Sequence, residues 1–175
     1  MVEKRDLISI IDLTADETRQ VILRAQQMKA GDAGRPLEGK KFVLLFEKPS
    51  LRTRVSFEVG IGELGGYSLY LSPQEVGLGG REPVSDVARV LSGYVDCIIA
   101  RVFNHQHVEE LARYASVPVI NALSDWEHPC QVLSDLLTIT EHKDKLDGLK
   151  LTYVGDGNNV ARSLCLGLAS VGMNF

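Results

Sequence analysis

The sequence predicts an α/β fold: a doubly wound parallel sheet flanked by helices, followed by the first strand and helix of a truncated second α/β domain. Three observations lead there. Short apolar runs rich in branched residues alternate with stretches of helical pattern. The runs lack strict apolar–polar alternation, as strands buried on both faces do. Glycine-rich or charged punctuation separates them, so strand follows helix follows strand, the order that builds a parallel sheet covered on both faces.

In chain order, a helix is predicted over 15–30, ended by "GDAGRPLEGKK" (31–41). "KFVLLFE" (41–47) is the first strand, with a helix over 52–64, and "YSLYL" (67–71) is the second. The glycine-rich loop "GLGGREP" (77–83) leads into a helix over 83–93, then the strand "DCIIAR" (96–101), a helix over 105–115, the strand "VPVIN" (117–121) and a helix over 129–142. The charged connection "HKDKLDGLK" (142–150) places a boundary near Leu146 to Gly148. One domain therefore covers 1–147. A second starts at 148 with the strand "LKLTYVGD" (149–156) and a helix over 159–171, and stops at 175.

Bulk properties narrow the function classes. A chain of 175 residues with 45% hydrophobic content buries a sizeable core. A net charge of -4 without a long basic run gives a nucleic-acid partner no electrostatic footprint. "MVEKRDLISIIDLT" mixes charges into a short apolar run and reads neither as a signal peptide nor as a membrane span, so the expected location is the cytoplasm. Cys97, Cys130 and Cys165 are far apart and form no CxxC pair. That suits a reducing compartment, argues against a structural zinc, and makes them small apolar core residues.

Ligands of a doubly wound sheet bind outside the carboxyl ends of its strands. There the sequence puts "KPSLRTR" after the first strand, Arg101 at the end of "DCIIAR", "ALSDWEHPCQ" after "VPVIN", and "GNNV" after the last run. The edge is cationic and rich in donors. Lys48, Arg52 and Arg54 crowd a predicted helix start, where the peptide dipole opposes cations by roughly 0.3–1 kcal/mol each. A bound dianion reverses that sign. Backbone N–H groups after Pro49 and Ser50, the hydroxyls of Ser50 and Thr53, and a forked arginine then form an anion site. The bland alternative is an Arg54–Glu58 surface pair beside a solvated Lys48.

"FEKPSLRTRVSFE" closely resembles the Ser-Thr-Arg-Thr-Arg phosphate motif of the aspartate and ornithine carbamoyltransferases, and "HPCQ" resembles their His-Pro-x-Gln motif. "REPVSDVARVLSGYVDCIIAR" and "VLSDLLTI" fit the same family, so the resemblance spans essentially the whole chain. It implies that Ser50, Leu51, Arg52 and Thr53 hold the phosphate of carbamoyl phosphate, with Leu51 standing where a threonine is usual. It implies a structural ion-pair role for Arg54. Arg101 matches the arginine at the carbamoyl oxygen, and His128, Pro129, Cys130 and Gln131 complete the carbamoyl subsite. The reaction implied is attack by an amine on the carbonyl carbon with departure of phosphate. Thr53, Arg101 and His128 polarise the carbonyl, and Gln131 and the Pro129 carbonyl accept from the carbamoyl NH2. Neither a cofactor nor a metal is implied.

In this family the region of "EVGLGGREP" reaches a neighbouring subunit's site, so the resemblance implies a homotrimer with Arg81 contributed across the interface. Ornithine enzymes often carry a glutamine where Gly77 is read. "FEKPS", "NALSDWEHPCQ" and "GDGNN" look like the ornithine branch, with Asn159 the match for the asparagine that holds the amino-acid end, Asn158 its neighbour, and citrulline the product in arginine biosynthesis. Most amino-acid contacts in the family come from a second domain with a His-Cys-Leu-Pro motif that this sequence lacks. Alternatives are the aspartate enzyme, putrescine or acetylated ornithine as second substrate, a stand-alone module that binds carbamoyl phosphate or phosphate without turnover, and a nucleotide-binding domain using "GDGNNV". The last lacks G-x-G-x-x-G. His105 and His107 read as a solvated helix start rather than a metal site, and Trp126 as packing near the site.

Overall fold

The computed structural model describes residues 4–175; the first three residues of the N-terminal reading lie outside the described residues. A one-turn 3-10 helix, Ile10–Asp12, is followed by α1 (Ala15–Lys29), β1 (Lys41–Phe46), α2 (Leu51–Glu63), β2 (Tyr67–Leu71), α3 (Pro73–Val76), α4 (Val84–Ser92), β3 (Cys97–Arg101), α5 (His105–Tyr114), β4 (Val119–Leu123), α6 (Pro129–Lys143) and α7 (Asn159–Ser170). The four strands are parallel in the order β2-β1-β3-β4. Strand order reverses between β1 and β3, and the crevice outside that reversal is where such sheets take ligands.

Successive side chains of β1 go to opposite faces. Val43 and Leu45 pack with Ile98, Ala100 and the buried sides of α4 and α5. Leu44 and Phe46 pack with Cys97, Ile99, Ala122 and Ile61 of α2. A separate apolar cluster joins Ile10 and Ile22 to Val132 and Leu136 of α6 and Leu164 and Leu168 of α7. There α7 and α6 come so close that a Cβ at Gly167 would meet Val132 Cγ1 at 2.5 Å and Ile10 Cγ1 at 3.1 Å. Only glycine permits that approach.

Local chemistry explains where the helices begin. Thr14 and Glu17 close a reciprocal capping box on α1, and Asn104 and Asn158 cap α5 and α7 through their side-chain oxygens. All six predicted helices are present, with ends within a residue or two of expectation. The 3-10 turn and α3 were not predicted, because single turns carry no measurable periodicity.

The strand expected over 149–156 does not form. Residues 151–154 have no regular structure, and Lys150 makes one parallel bridge to Asn174, through Leu151 N–H to the Asn174 carbonyl (2.9 Å) and Asn174 N–H to the Leu149 carbonyl (2.8 Å). One bridge supplies too few ladder bonds to define a strand. At the other edge, Leu7 bridges to Ile120 beside β4. The cysteines also depart from expectation: Cys97 is buried, Cys130 is half-buried and Cys165 is exposed.

Candidate functional site

Two helix starts flank a hollow at the carboxyl edge of the sheet. After β1, Ser50 takes extended backbone (φ -157°, ψ 118°) and caps α2. Its Oγ accepts from the Thr53 N–H at 3.4 Å and donates to Thr53 Oγ1 at 3.0 Å. The N–H groups of Leu51 and Arg52, in the first turn, have no acceptor within the helix. After β4, His128 precedes α6 without a side-chain cap, and Pro129 occupies the first helical position, where a missing N–H costs nothing. Between them lies a cavity of about 270 Å³ lined by Arg52, Thr53, Ser56 and Phe57 of α2 and by His128, Cys130, Gln131 and Ser134. The helix dipoles make it an anion-seeking place.

Arg101 closes β3 and is only 9% exposed. The β3–β4 register slips between Ala100 and Arg101, so that Arg101 pairs with Leu123 and Ala122 is the extra residue. Such irregularities re-aim side chains beside sites. Arg101 Nε donates to the Lys48 carbonyl at 3.2 Å and Nη1 to Thr53 Oγ1 at 3.3 Å. Among the described residues no carboxylate pairs with it, and burial lowers its pKa. A buried guanidinium bonded only to a carbonyl and a hydroxyl keeps donors in reserve for an anion or a polarised oxygen.

His128 is held by its backbone and left open at its ring. Its N–H donates to Ser163 Oγ of α7 at 2.9 Å, while Nδ1 is buried with no partner among the described residues. Burial first, and the charge of Arg101 second, push the imidazole down to about 4. At pH 7 it is neutral, with one N–H to donate and one nitrogen to accept.

The loop before His128 is anchored by a buried carboxylate. Glu127, 3% exposed, accepts from Ser9 Oγ (2.7 Å), the Ile10 N–H (3.2 Å) and Ser163 Oγ (3.4 Å). Ser124 Oγ accepts from the N–H groups of Trp126 (3.3 Å) and Glu127 (3.1 Å), and His105 Nδ1 lies 2.7 Å from the same oxygen. On α6, Gln131 Nε2 donates to Asp135 Oδ1 at 2.9 Å. Burial raises the Asp135 pKa, and the bond from Gln131 opposes that shift.

Of the residues singled out in the sequence, Arg52, Thr53, His128, Cys130 and Gln131 line one cavity, with Arg101 bonded behind Thr53. Ser50 is the cap, and Pro129 is buried at the start of α6. The Leu51 side chain points to solvent, 77% exposed, which leaves its backbone N–H as its one means of contact. Arg54 turns away: its Nε lies 3.2 Å from both Glu58 oxygens and its guanidinium 3.8 Å from the centre of the Tyr70 ring. Arg81 stands apart, lining a second hollow with Glu47, Gly77 and Phe103. Asn159 donates to the Ser124 carbonyl at 2.6 Å and so tethers the His128 loop. Trp126 is half exposed under the Arg162 guanidinium, 3.6 Å from its ring centre.

His105 and His107 do begin α5, but they are not solvated: His105 meets Ser124, and His107 Nδ1 lies 3.2 Å from Glu47 Oε1. The sequence puts these partners 19 and 60 residues away, beyond any local pattern. Among the described residues no cluster of three or more His, Cys, Asp or Glu could hold a metal ion, and no helix is long and apolar enough to cross a membrane. The reading missed Glu127, Ser163 and Asp135. Only Asp135 left a local signal, four residues after Gln131 and so one helical turn away.

Residues 5–141 match the family model described as aspartate/ornithine carbamoyltransferase, carbamoyl-P binding domain. The ornithine carbamoyltransferase of Thermococcus kodakarensis is 53% identical over 174 residues, which is 97% of this chain and 55% of that protein. That of Methanocaldococcus jannaschii is 58% identical over 138 residues, 79% of this chain and 45% of its own length. The solved ornithine carbamoyltransferase of Pyrococcus furiosus superposes with a TM-score of 0.93 at 50% identity, covering 98% of this chain and 56% of that one. The chain thus spans about half the length of the curated relatives it matches. With the match running from residue 5 through most of α6, and both "FEKPSLRTRVSFE" and "HPCQ" inside it, the chain belongs to the aspartate/ornithine carbamoyltransferase family.

Proposed function

We propose that this chain carries the carbamoyl-phosphate half of an ornithine carbamoyltransferase, which moves the carbamoyl group to the side-chain amine of ornithine and yields citrulline and phosphate. The observation that carries the reading is the meeting of a donor-rich helix start with Arg101 and an unprotonated His128 around one cavity. Relatives named ornithine carbamoyltransferase support the choice of amine.

The roles follow from the charge that develops. The Leu51 and Arg52 N–H groups, Ser50 and the Arg52 guanidinium hold the phosphate, where forked, charge-assisted bonds are strongest. The amine attacks the carbonyl carbon, negative charge gathers on the carbonyl oxygen, and Thr53, Arg101 and His128 donate to it. A neutral imidazole suits this task because it adds a donor without another cation beside Arg101. The C–O bond to phosphate then breaks, the departing phosphate takes the proton released by the amine, and Gln131 and the Pro129 carbonyl fix the carbamoyl NH2 throughout. Cys130 contributes shape: burial pushes its thiol up to about 12, which removes it as a nucleophile.

Residues 1–147 form the carbamoyl-phosphate domain in this proposal, and 148–175 open the ornithine domain, with Asn159 at the amino-acid end. Arg81, exposed on its glycine loop, reaches the phosphate of a neighbouring subunit in a homotrimer. Three cysteines without a disulfide suit a cytoplasmic setting. Calorimetry tests the reading: the chain should bind carbamoyl phosphate, and Arg52→Ala should weaken that binding roughly 10- to 100-fold. Tighter binding of NAD or ATP than of carbamoyl phosphate would sink it.

A further inference from the structure

The Gln131–Asp135 bond on α6 has a polarity. An amide side chain offers two donors at one end and an acceptor at the other, and it turns over unless a neighbour distinguishes them. A carboxylate oxygen accepts, and here Oδ1 of Asp135 takes the donor end. With Nε2 held by Asp135 Oδ1 at 2.9 Å, the Gln131 carbonyl oxygen is the end left over, and Gln131 lines the cavity with His128 and Thr53. One turn of helix sets this orientation, because residues four apart share a face.

From this geometry we infer that Asp135 is a positioning residue: it locks the Gln131 amide with its oxygen toward the cavity, and so makes the site select ligands that carry an NH2 on the carbonyl carbon over those that carry a methyl. The inference rests on the function proposed above and adds the origin of its selectivity. Asp135 lies outside the lining of the cavity, so it acts through Gln131. A free amide can swing aside and satisfy both its ends in water when a methyl takes the place of the NH2. A locked one meets the methyl with an unpaired acceptor, the situation in which polar sites reject analogues most strongly.

The test uses the whole chain and two stable, nearly isosteric phosphonates: phosphonoacetamide, which has the NH2, and acetonylphosphonate, which has a methyl in its place. Calorimetry should show the unaltered chain preferring phosphonoacetamide by roughly tenfold, the worth of one hydrogen bond in a charged network. Asp135→Asn, which lets the amide turn over, should erase most of that preference, and Gln131→Leu should erase all of it. Affinity for inorganic phosphate should be unchanged in Asp135→Asn, since that anion has no carbamoyl end. An undiminished preference in Asp135→Asn overturns the inference. So does an equal loss for both phosphonates and phosphate, the mark of a merely structural role; Asp135→Ala repeats the comparison if the asparagine variant folds poorly. If the unaltered chain binds neither phosphonate nor carbamoyl phosphate, the proposed function fails first.

Discussion

The two sides of the cavity are built on opposite plans. On the α2 side the groups are exposed and local: a serine cap, free first-turn N–H groups, and Leu51 pointing to solvent. On the α6 side the His128 loop is fixed by its own buried carboxylate, Glu127, bonded to Ser9 near the N-terminus and to Ser163 of α7, and by Asn159 at the start of α7. The contrast suits the proposed chemistry. A dianion is held well by charge and backbone donors that need little alignment, whereas a carbonyl oxygen gaining charge needs donors fixed in advance.

The largest test of that contrast is Glu127→Ala. It leaves Ser9, the Ile10 N–H and Ser163 without their acceptor, and should cost about 3 kcal/mol of unfolding free energy by urea titration. An unchanged midpoint would mean that the rigid side is not rigid. Next is pH. The folded-state pKa of His128 is about 4 against 6.5 for the free side chain. Between those values the unfolded chain binds the extra proton and the folded chain does not, so stability falls as pH drops from 6.5 toward 4, with a limiting slope of about 1.4 kcal/mol per pH unit. His128→Gln should flatten that part of the urea-midpoint profile.

The α2 side should behave otherwise. Arg52→Ala should weaken anion binding roughly 10- to 100-fold, one charge-assisted contact, and leave the urea midpoint within about 0.5 kcal/mol. The smallest effect belongs to Leu51→Thr. If the proposed phosphate contact is made by the Leu51 backbone alone, carbamoyl phosphate affinity should move by no more than about twofold. A larger gain would show that the missing hydroxyl matters.

The same contrast explains what the sequence made legible. The α2 side is a contiguous string, "KPSLRTR", whose charges, cap and hydroxyls could be read together. Arg101 was visible too, because a cation ending an apolar strand must find a partner. Strands and helices of the sheet region followed from apolar runs and caps. Three things stayed hidden for one reason. The Ser9–Glu127–Ser163 link joins residues 118 and 36 positions apart, the partners of His105 and His107 are equally remote in pattern, and the failed strand at 149–156 depends on neighbours rather than on its own apolar content. Pairing across the fold leaves no period to read.

Gly167 gives the contrast a mechanical side. It sits one helical turn after Ser163, whose oxygen receives the His128 N–H, and its missing side chain sets how near α7 lies to Val132 and Ile10. The interior therefore works as a spacer block for His128, the residue proposed to polarise the carbonyl. A single methyl added there, far from any ligand, would wedge α7 outward and carry Ser163 from its place while every cavity-lining residue stayed chemically intact. Alignment at this site is machined from the back.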